Sequence, residues 1–150
     1  MAMVAVEPFA SQAQTSSQRA RYNFNPGWLV LVGDPANAQS FTFDDSAWKH
    51  VTLPYAWNED SAYKVSIHDM PTGIAWYRKH FSVPANSKGQ RIFLEFEGIR
   101  MAGEVYLNGK SVGLHEDGIT AFGFDITDAV LPTPAINILA VRTDNDWKVR

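Results

Sequence analysis

Between residues 28 and 141 apolar side chains recur with a period of two, in short runs separated by turn-forming residues. Period two is the signature of a β-strand, whose successive side chains point to opposite faces. Many short strands divided by turns read as a sandwich or a barrel. Residues 91–97 show the pattern most cleanly: Ile92, Leu94 and Phe96 fall on one face, Phe93, Glu95 and Glu97 on the other. Asn108-Gly109 lies between two such runs and predicts a tight hairpin, because a type I′ turn needs positive φ at both central residues. Further strands are expected at 28–32 after Pro26-Gly27, at 48–53 before Pro54, at 73–83 before Pro84, and around Phe122, Phe124 and Ile126. In the last run, Ile136, Ile138 and Ala140 alternate with Leu139 and Val141. It is apolar on both faces and therefore expected at the centre of a sheet. No helical period persists beyond about two turns; single turns are expected after Asp44, a capping residue type, and at 128–131. The chain is thus all-β, with eight or so antiparallel strands in two packed sheets, a jelly-roll-like sandwich.

Composition narrows the function. A chain of 150 residues suits one domain, and 45% hydrophobic residues suffice for a core. A net charge of −3, with no basic run longer than Arg78-Lys79, argues against a nucleic-acid footprint. The absence of cysteine removes disulfides, thiolate metal sites and thiol nucleophiles. No apolar run reaches the roughly 20 residues of a membrane helix. Residues 11–18 read SQAQTSSQ, and 9–13 resemble the small-residue end of an export signal, without its basic start. Residues 1–20 are therefore expected to be a disordered leader, with a clipped export signal as the alternative, and 21–150 the sandwich; the location is left open, periplasmic or secreted if the alternative holds.

Six motifs, in order, resemble the N-terminal sugar-binding-like sandwich of family 2 glycoside hydrolases, the β-galactosidase and β-glucuronidase group. They are Trp48-Lys49-His50-Val51-Thr52-Leu53-Pro54; Gly73-Ile74-Ala75-Trp76-Tyr77-Arg78-Lys79-His80-Phe81; Phe93-Leu94-Glu95-Phe96-Glu97-Gly98-Ile99; Val105-Tyr106-Leu107-Asn108-Gly109-Lys110 with Val112, Gly113 and His115; Phe122-Gly123-Phe124-Asp125-Ile126-Thr127-Asp128; and Asn137-Ile138-Leu139-Ala140-Val141-Arg142 with Asp144-Asn145. They span about two-thirds of the chain. Asp117-Gly118-Ile119 departs from the two glycines and aromatic that the family carries after the histidine. The resemblance implies a multidomain parent whose catalytic site lies on a later (β/α)8 barrel, beyond a second sandwich domain. Retaining cleavage needs two carboxylates about 5 Å apart, and the resemblance places both outside this chain. The chain stops at Trp147-Lys148-Val149-Arg150 without a polar tail, which suits part of a longer polypeptide.

The expected role is accessory: a non-catalytic domain that shapes the substrate pocket of a retaining, β-galactosidase-like enzyme. Its partners are a β-linked carbohydrate, the barrel and the second sandwich of the same polypeptide; no cofactor, metal, nucleic acid or membrane is expected. By the resemblance, the segment after the last strand reaches the sugar, which makes Asp144 and Asn145 candidate ligands of its hydroxyls. Trp147 is a candidate platform for the C–H face of a pyranose. His68 and Asp69 are further candidates, because they lie in the long stretch 55–72, and long irregular loops are usually functional or mobile. Against these readings, Asp and Asn favour turns without any ligand. Asn58-Glu59 matches the dipeptide of the family's acid/base but sits in the wrong domain, so a solvated loop is expected. His115-Glu116-Asp117 lacks a second ligand set for a metal, and a polar turn is expected. Trp48 and Trp76 are expected to pack. A free-standing carbohydrate-binding module is the rival reading; it needs Trp57 and Trp147 exposed around a concave surface.

Overall fold

The computed structural model describes residues 19–59, 64–66, 69–118 and 120–146. Eight strands are formed: β1 (Trp28–Val32), β2 (Lys49–Val51), β3 (Ile74–Phe81), β4 (Phe93–Phe96), β5 (Ala102–Leu107), β6 (Lys110–Glu116), β7 (Phe122–Asp125) and β8 (Asn137–Asp144). All pairings are antiparallel. Six strands form one sheet in the order β2-β1-β3-β8-β5-β6, and β4 and β7 form a second. The architecture is the expected antiparallel β-sandwich.

Alternation within each strand decides which layer a residue joins. Trp28, Val30, Ala75, Tyr77, Val105, Leu107, Leu139 and Val141 leave the large sheet on one face and meet Leu94 and Ile126 from the small-sheet side. Full burial of a side chain of this size contributes about 1.5–3 kcal/mol. The opposite face is not solvated. Trp76 and Ala140 point there, and the irregular segment 34–48 lies over them, burying Ala38 and Trp48. The large sheet is therefore covered on both sides, which explains why β8, at its centre, is apolar on both faces.

The turns follow their residues. Asn108 and Gly109 hold φ values of 53° and 81°, as the hairpin between β5 and β6 requires. The Asn108 side chain then ties that turn to the start of β8, accepting from Ile138 N and donating to Asn137 Oδ1. Asn137, wholly buried, in turn accepts from Leu131 N and donates to Leu131 O. Both expected single turns form, Trp48 N donating to Asp45 O at 3.0 Å and Ala129 N and Val130 N to Ile126 O at 3.0 and 3.1 Å, and neither extends into a helix. Asp44 begins the first of these by accepting from Ser46 N two residues on. A lone 3-10 turn, Ala85–Ser87, is the one helical element bounded among the described residues. Arg19, within the stretch read as leader, pairs with Glu95 on β4, as does Arg21 just after that stretch; residues 1–18 lie outside the described residues.

Candidate functional site

Strand register brings distant segments to one end of the large sheet. Glu116 pairs with Ala102, Ala102 with Asp144, and Asp144 with Ile74, forming one row across β6, β5, β8 and β3. Gly33, just past β1, joins this end by donating its N–H to Ile74 O at 2.8 Å. The loop that ends at Gly73, the turn after Glu116 and the segment after Asp144 therefore emerge side by side.

Asp144 and Asn145 are half-buried. The Asp144 Oδ1 accepts from Asp146 N at 3.0 Å. The Asn145 Oδ1 accepts from Gly73 N at 2.7 Å, while Asn145 N donates to Gly73 O at 3.2 Å. Asp69 is exposed in the loop that ends at Gly73, and its N–H bonds to Ser66 O. His68 and Trp147 lie outside the described residues. Asp69, Asp144 and Asn145 thus share one end of the domain.

The long loop is tied at both arms. Tyr77 Oη donates to Tyr55 O, and Asn58 Nδ2 donates to Pro71 O at 3.1 Å. Asn58 therefore ties the two arms of the loop to each other. Trp57 packs partly buried against the main core, which removes one of the two exposed aromatics that a free-standing module would need. Trp48 and Trp76 are buried, as expected of packing residues. His115 stacks on Phe122, with ring centroids 3.9 Å apart, and its Nε2 lies 3.3 Å from Thr120 Oγ1. Among the described residues no group of three or more His, Asp or Glu side chains is placed to hold a metal ion.

Two arginine-centred clusters on the outer face were not singled out in the sequence reading. Near the loop end, Arg142 donates to both oxygens of Asp34, with Nη2 2.8 Å from Oδ2, and to Glu104 Oε1 at 2.9 Å. Trp76 Nε1 donates to Asp34 Oδ1 and Tyr106 Oη to Glu104 Oε2, each at 2.7 Å. The hydrogen bonds from Arg142 draw the Asp34 pKa below its usual value, and Asp34 raises that of Arg142. Donation to Glu104 raises the Tyr106 pKa. Every carboxylate oxygen of Asp34 and Glu104 is thus hydrogen-bonded within the cluster.

At the opposite end, Arg78 is wholly buried. It donates from Nε to Asp45 Oδ2 at 2.7 Å and from Nη1 to Ala38 O and Ser40 O, fastening the 34–48 segment to the sheet. His80 Nε2 lies 2.7 Å from the same Asp45 oxygen. A shallow cleft of about 310 Å³ opens beside them, lined by Gly27, Leu29, Asp45, Ser46, His50 and His80.

Comparison with known proteins gives a consistent picture. Residues 29–147 match the family described as glycosyl hydrolases family 2, sugar binding domain. A β-glucuronidase of Formosa agariphila is 36% identical over 139 residues, covering 88% of this chain and 14% of the relative. A β-galactosidase of Thermoanaerobacter pseudethanolicus is 37% identical over 123 residues, covering 82% and 16%. Among solved structures, a β-glucuronidase from glycoside hydrolase family 2 superposes with a TM-score of 0.81 at 34% identity, covering 90% of this chain and 15% of that one. The chain thus spans about one-seventh of the length of these relatives.

Proposed function

The chain belongs to glycoside hydrolase family 2 as its N-terminal sugar-binding domain, and from that premise we propose that it forms part of the substrate-pocket wall of a retaining β-glycosidase without itself performing the chemistry. The observation that carries this reading is the row Glu116–Ala102–Asp144–Ile74, which gathers the loop ending at Gly73 and the exit of β8 at one end of a rigid sheet. Polar side chains on loops, held by a scaffold, suit the recognition of sugar hydroxyls. Asp144 and Asp69 are the described residues assigned to that contact, with Asn145 beside them; His68 and Trp147 complete the proposed set. The barrel and second sandwich of the same polypeptide would be its partners, and the barrel would supply the two carboxylates that retention requires.

The galactoside expected from the sequence is one of two substrates named among the relatives, which include β-glucuronidases and β-galactosidases alike. A terminal β-linked galactoside or glucuronide is therefore the proposed substrate class. The test is to assay the full-length polypeptide on aryl β-galactoside and aryl β-glucuronide, with Asp144→Ala and Asp69→Ala beside the parent. Turnover of one of the two, with a raised KM in either variant, supports the reading. An unchanged KM in both variants, or turnover by the 150-residue chain alone, would overturn it.

A further inference from the structure

Asn145 stands at the proposed pocket wall, but its amide oxygen is already engaged. We propose that Asn145 is a positioning residue: it locks the arm 69–73 of the long loop to the exit of β8, and so sets where that arm meets the substrate. This inference rests on the pocket-wall reading above.

The geometry carries it. The ladder between β3 and β8 ends with Ile74 opposite Asp144. One step further, where strand pairing would lapse, Asn145 N donates to Gly73 O and Asn145 Oδ1 accepts from Gly73 N at 2.7 Å. The side chain thus replaces a missing backbone acceptor and extends the ladder by one closed pair. The donor is a backbone N–H, so the amide oxygen faces Gly73, and the NH2 of Asn145 is the group turned away from it. Gly73 has φ of 144°, a backbone conformation that side-chain-bearing residues rarely adopt. The chain direction at Gly73 is therefore set by the clamp and by the lack of a Cβ together.

The clamp reaches the rest of the loop through described bonds. Pro71, two residues before Gly73, accepts from Asn58 on the other arm. That arm is held to β3 through Tyr77 and Tyr55, and Tyr55 Oη accepts from Lys49 Nζ at 2.8 Å. Releasing Gly73 loosens one anchor of a cross-tied loop while leaving the sheet intact. The consequence falls on substrate binding rather than on bond cleavage, because the reacting groups belong to another domain in the proposed parent.

The test uses the full-length enzyme with Asn145→Ala, Asn145→Asp and, as a reference, Asp144→Ala. KM and kcat are measured on the aryl glycoside it cleaves, and hydrogen exchange on a peptide containing Gly73. Loss of one partly buried hydrogen bond predicts a KM raised roughly five- to tenfold in Asn145→Ala. Its kcat stays within about twofold, and exchange at Gly73 speeds up. Asn145→Asp keeps the acceptor and loses the NH2, so it restores both KM and exchange. If Asn145→Asp is as impaired as Asn145→Ala, the NH2 contacts substrate directly and the positioning role is overturned. A normal KM in Asn145→Ala beside a raised one in Asp144→Ala overturns the clamp alone. Normal KM values in all three variants overturn the inference, and a normal KM in Asp69→Ala as well overturns the pocket-wall reading with it.

Discussion

Replacing Asp45 by alanine tests how the outer face of the large sheet is held. Arg78 has no exposed surface, and Asp45 Oδ2, 2.7 Å from its Nε, is its one carboxylate partner among the described residues. Its Nη1 contacts Ala38 O and Ser40 O, whereas Nη2 is buried with no hydrogen-bond partner among the described residues. The guanidinium lies 5.5 Å from the Phe43 ring centroid and 5.9 Å from that of Trp48, contacts that only partly offset a lost charge. Removing one partner of a buried ion pair costs about 3–5 kcal/mol, because the other charge stays buried. The low end applies here, since segment 34–48 can move outward and admit water once Asp45 is gone. At about 2–4 °C per kcal/mol for a domain of this size, Asp45→Ala should melt about 10 °C below the parent at pH 7. The double variant Asp45→Leu with Arg78→Met removes both charges and should recover most of that loss. The wild type should also carry an acid signature. Burial pushes the Asp45 pKa up, but the hydrogen bonds from His80 and Arg78 outweigh it and hold the carboxyl below its usual 3.8. The folded value being the lower, this stabilisation is complete above the unfolded value and disappears as pH falls through the folded one. Thermal melts of the 150-residue chain between pH 2 and 7 measure all of this, with pH 2 taken as about the lower end of carboxylate titration. An Asp45→Ala melt within about 2 °C of wild type would refute the reasoning, as would a double variant less stable than Asp45→Ala.

Two further outcomes follow from local geometry. A Cβ on Gly113 in β6 would lie 2.3 Å from Phe124 Cε1 on β7, so Gly113→Ala should cost about 1–3 kcal/mol by overpacking; Phe124→Leu in the same background should restore part of the melting temperature, and no drop in the single variant would contradict the contact. Asp125 is held at a pKa of about 2, first by the Thr127 hydroxyl and then by Arg91, so its stabilising contribution is present above the usual 3.8 and is lost as pH falls through about 2; an NMR titration of the carboxyl should show that midpoint, and Thr127→Val should move it upward.

Local chemistry made most of the strands legible in advance. Asn108-Gly109 announced its hairpin because so few residue pairs tolerate two positive φ values, and the alternation at residues 91–97 survives in Leu94, buried at 7%, beside Phe93, exposed at 51%. The second hydrophobic layer was not legible, because segment 34–48 has no period: Ala38 and Trp48 are buried by position, under a sheet whose register the sequence does not reveal. The two arginines inside β3 and β8 broke the apolar pattern, which is itself a signal. Their partners were hidden by distance along the chain, Asp45 lying 33 residues from Arg78 and Asp34 lying 108 from Arg142. The same holds for the candidate site. Asp144 and Asn145 could be singled out by type and by resemblance, but not the bond from Asn145 to Gly73, 72 residues away.

The division between covered sheet and open sheet end bears on how specificity could vary within such a domain. β3 and β8 are packed on both faces, so a change at Tyr77, Arg78, Leu139 or Ala140 disturbs a core layer whichever way the side chain points. Such positions govern stability and tolerate little. The described residues 69–73 and 145–146 lie beyond the ladder between β3 and β8, held by hydrogen bonds such as that from Gly73 N to Asn145 Oδ1, and belong to neither core layer. On the pocket-wall proposal, variation in sugar preference can accumulate at that end without unfolding the sheet that supports it. In a panel of substitutions, those at 69–72 and 144–145 should shift KM with little change in melting temperature, and those inside β3 and at 137–142 of β8 should do the reverse. If loop substitutions lowered the melting temperature as much as strand substitutions did, the sheet would not be acting as an independent support, and the pocket-wall role would lose its physical basis.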